Sequence, residues 1–444
     1  MIPRVCELRG KEESDGATAV RVRMSLDVCL RGERIGSLFR SGDGEYGFAY
    51  SPEALASGCP PLSLSLPVRT EPYGARAARA YVEGLLPQGA RRRAIAGRVG
   101  LDPGDGYGLI AELGGDCLGA VTIGRGLAGA EPADPRSLSW LTDAELEQLL
   151  DPRCEEMFDQ GDPHRMRFAL PGERHKLALL RDEAEDRWAW PRPGLPSTHI
   201  VKPEPPELPG MAANEHACTG AYRRLGFPVA HTEVVTIAGH PCLVSKRFDR
   251  WGEAAAGECL HQESFAQALG ICPEDAARRL SAGVPMLSEV SELLRAIGEA
   301  GAVQTLLRAT ICDVLLGCTE LRGANAALLY GGGAPMLAPF YDIASTEVYG
   351  QVRPRPIVIG TDVPPAPLLI DLRHAIELCG MEFQPALIDA TRLMAPLCAA
   401  LNSAASEAQE EGWHHNAIEE ALQILFERTK GFSREVQYLR PSPS

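Results

Sequence analysis

The chain has 444 residues, 45% of them hydrophobic and 23% charged, with a formal net charge of −15. That length exceeds what one core supports, so two or three domains are expected, and the composition excludes a largely disordered chain. The negative balance argues against a surface built to neutralise nucleic-acid phosphates, and no run reaches the roughly eighteen apolar residues of a membrane span. Thirteen Cys, with no C-x-x-C pair and no N-terminal apolar segment, point to a reduced, cytoplasmic setting.

In chain order, Val20, Val22, Met24, Leu26, Val28 and Leu30 alternate with Arg, Ser, Asp and Cys, the period-two pattern of a half-buried strand. Arg31-Gly32-Glu33 then turns the chain back into a partner strand over 35–39. Leu62, Leu64 and Leu66 alternate with Ser in the same way, so a further strand is expected there. Residues 75–99 read as two helices divided at Pro87. The glycine-rich 114–120 has neither the G-x-x-x-x-G-K-[ST] nor the G-x-G-x-x-G spacing and is expected to be a tight turn before a strand over 120–123. A linker follows, whose one helix starts at the capping box Thr142-x-x-Glu145.

Residues 176–180 and 199–202 are two more strand candidates, the second ending in Lys202 before a Pro-rich loop. Asn214 is expected to cap the next helix, which puts Glu215 in its first turn. A strand Lys steered by a helix Glu is how kinases address nucleotide phosphates; elsewhere such a pair is more often a surface ion pair. Residues 232–237 and 241–245 form a hairpin leading to Lys246 and Phe248, where a kinase has the hinge whose backbone meets adenine. From 260 the chain is expected to be mostly helical, with an apolar stripe on a helix over 303–316 and two closing helices over 384–407 and 413–430.

Within that region lies 317–349. Glu320 and Asn325 lie five residues apart, two short apolar runs flank a Gly-Gly-Gly turn, and Asp342 follows. Kinases use this order: a carboxylate that takes the hydroxyl proton, an Asn on one Mg²⁺, and an Asp after a hairpin on the other. Glu320 stands where kinases have Asp. His216 and His414-His415 lack ligand-spaced partners and read as packing and helix-start residues.

Taken together, the segments YVEGLLPQGARRR, LGGDCLGAVTI, STHIVKPEPPELPGMAANE, LVSKRFDR, LHQESFAQALG and APFYDIASTEVY resemble, in the same order and over nearly the whole length, the HipA family of toxin kinases from bacterial toxin–antitoxin modules. The resemblance implies an α+β, two-lobed protein-kinase-like fold with a β-rich N-terminal lobe and an α-rich C-terminal lobe. It implies an N-terminal module over 1–125, a linker over 126–165, a nucleotide-binding lobe core over 166–250 and a helical lobe over 251–444. It further implies ATP and Mg²⁺ as cofactors, Lys202 with Glu215 on the phosphates, Lys246 and Phe248 at the adenine, and Asn325 and Asp342 on the metal. The partners implied are a small helix-turn-helix DNA-binding antitoxin and, for active members, a protein substrate such as a component of translation.

The departures fall at the chemistry. Where members read GNTDAHAKN, residues 317–325 replace the general base by Glu320, the His by Arg322 and the Lys by Ala324, keeping Asn325. Where members read SLAGAQPKLAL, residues 169–179 place Ala169 at the autophosphorylated Ser and an acid, Glu173, in the loop expected to cover the phosphates. Glu keeps the charge of Asp but moves it outward by one methylene, and a shift near 1 Å can cost on the order of 10²-fold in rate. Three readings follow: a HipA-type serine/threonine kinase with an altered base, a pseudokinase acting as a regulatory partner, or a different nucleotide-dependent transfer in the same cleft.

Overall fold

The N-terminal alternation becomes a sheet. The computed structural model describes residues 24–40, 44–127, 134, 136, 138–151, 168–251, 258–281, 286–318, 326–350 and 368–438. Strand β1 (Met24–Leu30) buries Leu26, Val28 and Leu30 and pairs antiparallel with β2 (Glu33–Arg40). Arg31 and Gly32 between them both have positive φ, the twist that a tight hairpin prefers. Next come β3 (Tyr46–Tyr50) and four helices: α1 (Pro52–Ser57), α2 (Ala75–Glu83), α3 (Gly89–Arg98) and α4 (Gly106–Leu113). Strand β4 (Val121–Gly124) closes a sheet of order β3-β2-β1-β4, and Pro87 does separate two helices.

The strand expected at Leu62, Leu64 and Leu66 is instead a tight loop in which Ser63 bridges Leu66. The hydroxyl of Ser63 donates to Glu263 at 2.5 Å and that of Ser65 to the Gln267 carbonyl at 2.7 Å. The serines of the alternation are thus bonded to the C-terminal half of the chain rather than to water, which a period-two pattern cannot express.

Helix α5 (Asp143–Leu150) starts at the Thr142–Glu145 capping box and buries Leu146, Leu149 and Leu150 in the same core as Leu177, Trp188 and Val244. That core belongs to a second, five-stranded antiparallel sheet of order β6-β5-β7-β9-β8. Its strands are β5 (Leu177–Asp182), β6 (Arg187–Ala189), β7 (His199–Pro203), β8 (His231–Ile237) and β9 (His240–Lys246). Between β7 and β8 runs α6 (Met211–Arg224). Its N-cap is Gly210, so Asn214 is not the cap but a fully buried residue inside the helix.

After β10 (Arg250–Trp251) and β11 (Glu258–Cys259), the region expected to open as helix begins with strand β12 (His261–Ser264), because it pairs with β13 further along the chain. Helices α7 (Phe265–Ala268), α8 (Pro273–Ser281), α9 (Leu287–Ala296) and α10 (Ala300–Leu316) follow, then the hairpin β13 (Ala327–Tyr330) and β14 (Met336–Leu337). Helices α11 (Leu368–Leu378), α12 (Phe383–Glu410) and α13 (Asn416–Tyr438) end the described chain. Helix α10 is buried on more than a stripe and forms the centre of a core that also takes in α6, α9, α11, α12 and α13.

A buried ionic cluster ties the N-terminal module to the second sheet. Arg247 donates to Asp249 at 2.8 Å and reaches Asp116 at 3.4 Å, and Arg250 donates to Asp116 at 2.8 Å. Asp249 also accepts from the Gly119 N–H at 2.6 Å and from Gln262 at 2.9 Å. Gly119 sits at φ +75°, and a Cβ there would meet the Gln262 nitrogen at 2.6 Å, so the close approach requires glycine. The turn expected at 114–120 is therefore a docking element and not a phosphate loop. The described cysteines form no disulfide, and among the described residues no helix is long and apolar enough to cross a membrane.

Candidate functional site

Two consecutive elements and a third that follows 140 positions after Lys202 bring their charges together between the second sheet and the helical core. Lys202 lies on β7, Glu215 on α6 and Asp342 in the segment after β14. The Lys202 ammonium donates to Glu215 Oε1 at 2.6 Å and to Asp342 Oδ1. Burial works against both charges of the Lys202–Asp342 pair, but mutual attraction outweighs it: Lys202 is held above the usual lysine range by Asp342 and Glu215, and Asp342 below the usual carboxylate range by Lys202 and Lys176. The pair expected from the sequence is therefore a buried bridge rather than a surface one.

Asp342 occupies the left-handed backbone region at φ +54°, where few residues other than glycine sit. Its neighbours hold it there. Phe340 exchanges backbone hydrogen bonds with Pro228 and Ala230 at 2.8 and 2.9 Å. On the other side, the Asn214 side chain donates to the Ser345 carbonyl at 2.9 Å and accepts from the Ser345 N–H at 3.1 Å. Asn214, expected as a cap, is instead the residue of α6 that fixes the Asp342 segment.

The loop 169–176 supplies two further cations. Arg174 reaches Glu215 at 3.5 Å. Lys176 is buried just before β5; burial lowers its pKa to about 8, against the pull of Asp342 and with help from Lys202, Arg91 and Arg174. Gly172 sits at φ +99°, and a Cβ there would lie 2.9 Å from the Lys176 ammonium. Neither cation belongs to the set of site residues expected from the sequence. For Lys176 the sequence carries two signals, a Lys immediately before an apolar strand and its match to the Lys of SLAGAQPKLAL in the family resemblance.

Glu173 does not point among these cations. Its carboxyl fills the space beside Gly89, with Cδ 2.8 Å from where a Cβ would be, at the start of α3. A carboxylate is favoured at a helix N-terminus, and this acid lies against the start of α3. Ala169 is fully buried.

Lys246 is not brought to the cluster by its side chain. The register pairs Lys202 with Leu243 and His199 with Lys246, which puts Lys246 on the opposite sheet face, where its ammonium donates to Glu183 at 2.7 Å. The Phe248 ring packs on Tyr341, the residue before Asp342, with centroids 6.0 Å apart. Glu320 and Asn325, with Arg322 and Ala324, lie outside the described residues. Among the described residues no group of three or more His, Cys, Asp or Glu is gathered at metal-binding distance. His415 accepts from the Ala417 N–H at 3.1 Å at the start of α13, as its helix-start reading requires.

Family models match most of this architecture: a HipA N-terminal domain over residues 26–124 and a HipA-like C-terminal domain over 168–407. The chain belongs to the HipA family. Y4mE of Sinorhizobium fredii, named as a candidate kinase, is 33% identical over 337 residues, covering 74% of this chain and 79% of that protein. A second candidate kinase of the same organism, Y4dM, is 27% identical over 348 residues, covering 73% and 78% respectively. In fold, the HipA of Shewanella oneidensis MR-1, solved with HipB and its operator DNA, superposes with a TM-score of 0.74 at 20% identity, over 94% of this chain and 100% of that one. The two-lobed α+β, kinase-like fold expected from the sequence is the fold observed.

Proposed function

We propose that this HipA-family chain binds Mg²⁺·ATP in the cleft around Lys202 and transfers the γ-phosphoryl group to a serine or threonine of a protein, as the toxin of a toxin–antitoxin module. The observation that carries the reading is the Lys202 bridge between Glu215 and Asp342, roofed by a loop that adds Arg174 and Lys176. Arg174, Lys176 and Lys202 gather there around Glu215 and Asp342, a set of cations that suits a polyphosphate.

Mg²⁺ keeps several waters and takes one or two protein carboxylates plus substrate phosphates, so a single Asp342 fits it. Bound there, the ion would neutralise charge on the phosphates. Lys202 and Lys176 would hold the phosphate oxygens, Asp342 and Asn325 the metal, and Glu320 would accept the hydroxyl proton. The hinge after β9, with Lys246 and Phe248, would meet adenine through its backbone. A helix-turn-helix antitoxin is the partner this reading implies, in line with the HipB that accompanies the Shewanella protein.

Incubating the purified protein with Mg²⁺, γ-labelled ATP and a cell lysate is expected to label a protein, and Asp342→Ala is expected to abolish the signal. Label that survives Asp342→Ala would overturn the reading, and so would transfer of a nucleoside monophosphate in place of phosphate. The substitutions at Glu320 and Ala324 favour a second reading, a pseudokinase that binds nucleotide and regulates a partner without transfer. Metal-dependent thermal stabilisation by ATP with no labelled product would select it.

A further inference from the structure

Resting on the nucleotide-binding reading and deepening it, we propose that Arg91, in the N-terminal module, is a positioning residue that holds the loop 169–176 over the phosphates. Nucleotide affinity is then set from outside the two kinase-like lobes.

Arg91 lies on α3 and is buried, with a relative exposure of 3%. Its guanidinium donates to two backbone carbonyls at opposite ends of the loop, Leu170 at 2.8 Å and Lys176 at 3.3 Å. One rigid, planar fork therefore spans the loop's mouth, a geometry that a lysine ammonium cannot reproduce at both ends. Between these points the Gln88 N–H donates to the Gly172 carbonyl at 3.1 Å, and Pro87 and Gly172 form a parallel bridge. Upstream, the Ala169 N–H donates to the Asp116 carbonyl at 2.9 Å. Glu173 adds its contact with Gly89 at the first turn of α3.

These hydrogen bonds from the N-terminal module go to loop backbone, so they select its path and not its side chains. That matters because Gly172 sits at φ +99°, a conformation glycine enters and leaves freely unless something else selects it. With the path set, Arg174 falls against Glu215 and Lys176 beside the Lys202–Asp342 bridge. Arg91 touches neither nucleotide nor metal; it acts through Lys176 and the loop amides.

The test uses the full chain and the variants Arg91→Met and Arg91→Lys. Without any nucleotide, amide hydrogen exchange over 169–176 is expected to speed up in Arg91→Met by about ten- to a hundredfold, the loss expected from charge-assisted hydrogen bonds. Exchange in β7 and β9 should stay as in the parent, and Arg91→Lys should fall between the two. Affinity for a fluorescent Mg²⁺·ATP analogue is expected to weaken by about tenfold in Arg91→Met and to recover partly in Arg91→Lys, with turnover at saturating nucleotide unchanged.

Unaltered loop exchange in Arg91→Met overturns the proposal, and so does a loosened loop with unaltered nucleotide affinity. If the parent protein binds no nucleotide, the functional reading fails, while the exchange measurement still decides whether Arg91 sets the loop. Should Arg91→Met not fold, Glu173→Lys, at an exposed position, places a cation on the start of α3. Faster loop exchange in that variant supports the proposal and unchanged exchange counts against it.

Discussion

Two buried charge clusters, one around Asp116 and one around Lys202, are built from similar residues and do opposite things. In the first, Arg247 and Arg250 face Asp116 and Asp249, and the carboxylates also accept from Ser197, Gly119 and Gln262. Charge is balanced and the group is closed, which is how buried ions are tolerated in a structural joint. In the second, Arg174, Lys176 and Lys202 share Glu215 and Asp342, and Asp342 is held in a left-handed conformation. That group is drawn from the loop 169–176, β7, α6 and the segment after β14. The difference teaches that burial of charge alone does not mark a site; cations and carboxylates gathered around an Asp in a strained backbone conformation do.

Breaking the closed cluster should be the costliest change. Arg247→Met leaves Asp116 and Asp249 short of a partner, and a loss of about 3–5 kcal/mol in chemical unfolding is expected. A fall no larger than that of a surface variant would show that the joint is not structural.

Glu263 sharpens the comparison as a third kind of buried charge, a carboxyl with hydroxyl and amide partners from Ser63, Tyr330 and Leu64 but no cation among them. Burial pushes its pKa up to about 7, with those hydrogen bonds pulling the other way. Because the folded value lies above the ordinary 4.5, the stability it contributes is full below that value and is lost as pH rises through about 7. The swing is about 3 kcal/mol. Urea unfolding at about pH 5 and about pH 8 should show it, and Glu263→Gln should flatten it.

Opening the Lys202 cluster should cost binding more than folding. In Lys202→Met, Glu215 and Asp342 still face Arg174 and Lys176, so the melting temperature should move less than in Arg247→Met. Nucleotide affinity measured by calorimetry should fall by about ten- to a hundredfold. Equal losses of stability in the two variants would erase the distinction between joint and site. The smallest effect is expected far from both clusters: Thr142→Ala removes the α5 capping box at a cost of about 1 kcal/mol, with nucleotide affinity unchanged.

Local patterns in the sequence carried much of this molecule. The β1–β2 hairpin, the helices split at Pro87, the α5 cap and the β8–β9 hairpin all follow from period, turn residues and caps, each a property of a few neighbouring positions. Lys202 and Glu215 could be paired because a strand and the helix after it are close in sequence. The misreadings have a common cause in distant partners. Ser63 and Ser65 look like the wet face of a strand until Glu263 and Gln267 arrive about 200 residues later. Asn214 looks like a cap until Ser345 meets it. Lys246 and Lys202 look equivalent until pairing fixes which face each occupies. Arg91 sits among three consecutive arginines, and nothing local tells which of them turns inward.

The same long reach has a temporal consequence. The Lys202–Asp342 contact spans 140 positions and the Asp116–Arg250 contact 134. During synthesis the N-terminal module can complete its sheet before the second lobe has emerged, and it then waits for Arg247 and Arg250 to dock against it. The cleft cannot close its charge bridge until Asp342 leaves the ribosome. A chain interrupted between Gln262 and Asp342 therefore carries the joint without the site, and the charge bridge of the cleft forms only after Asp342 has been added.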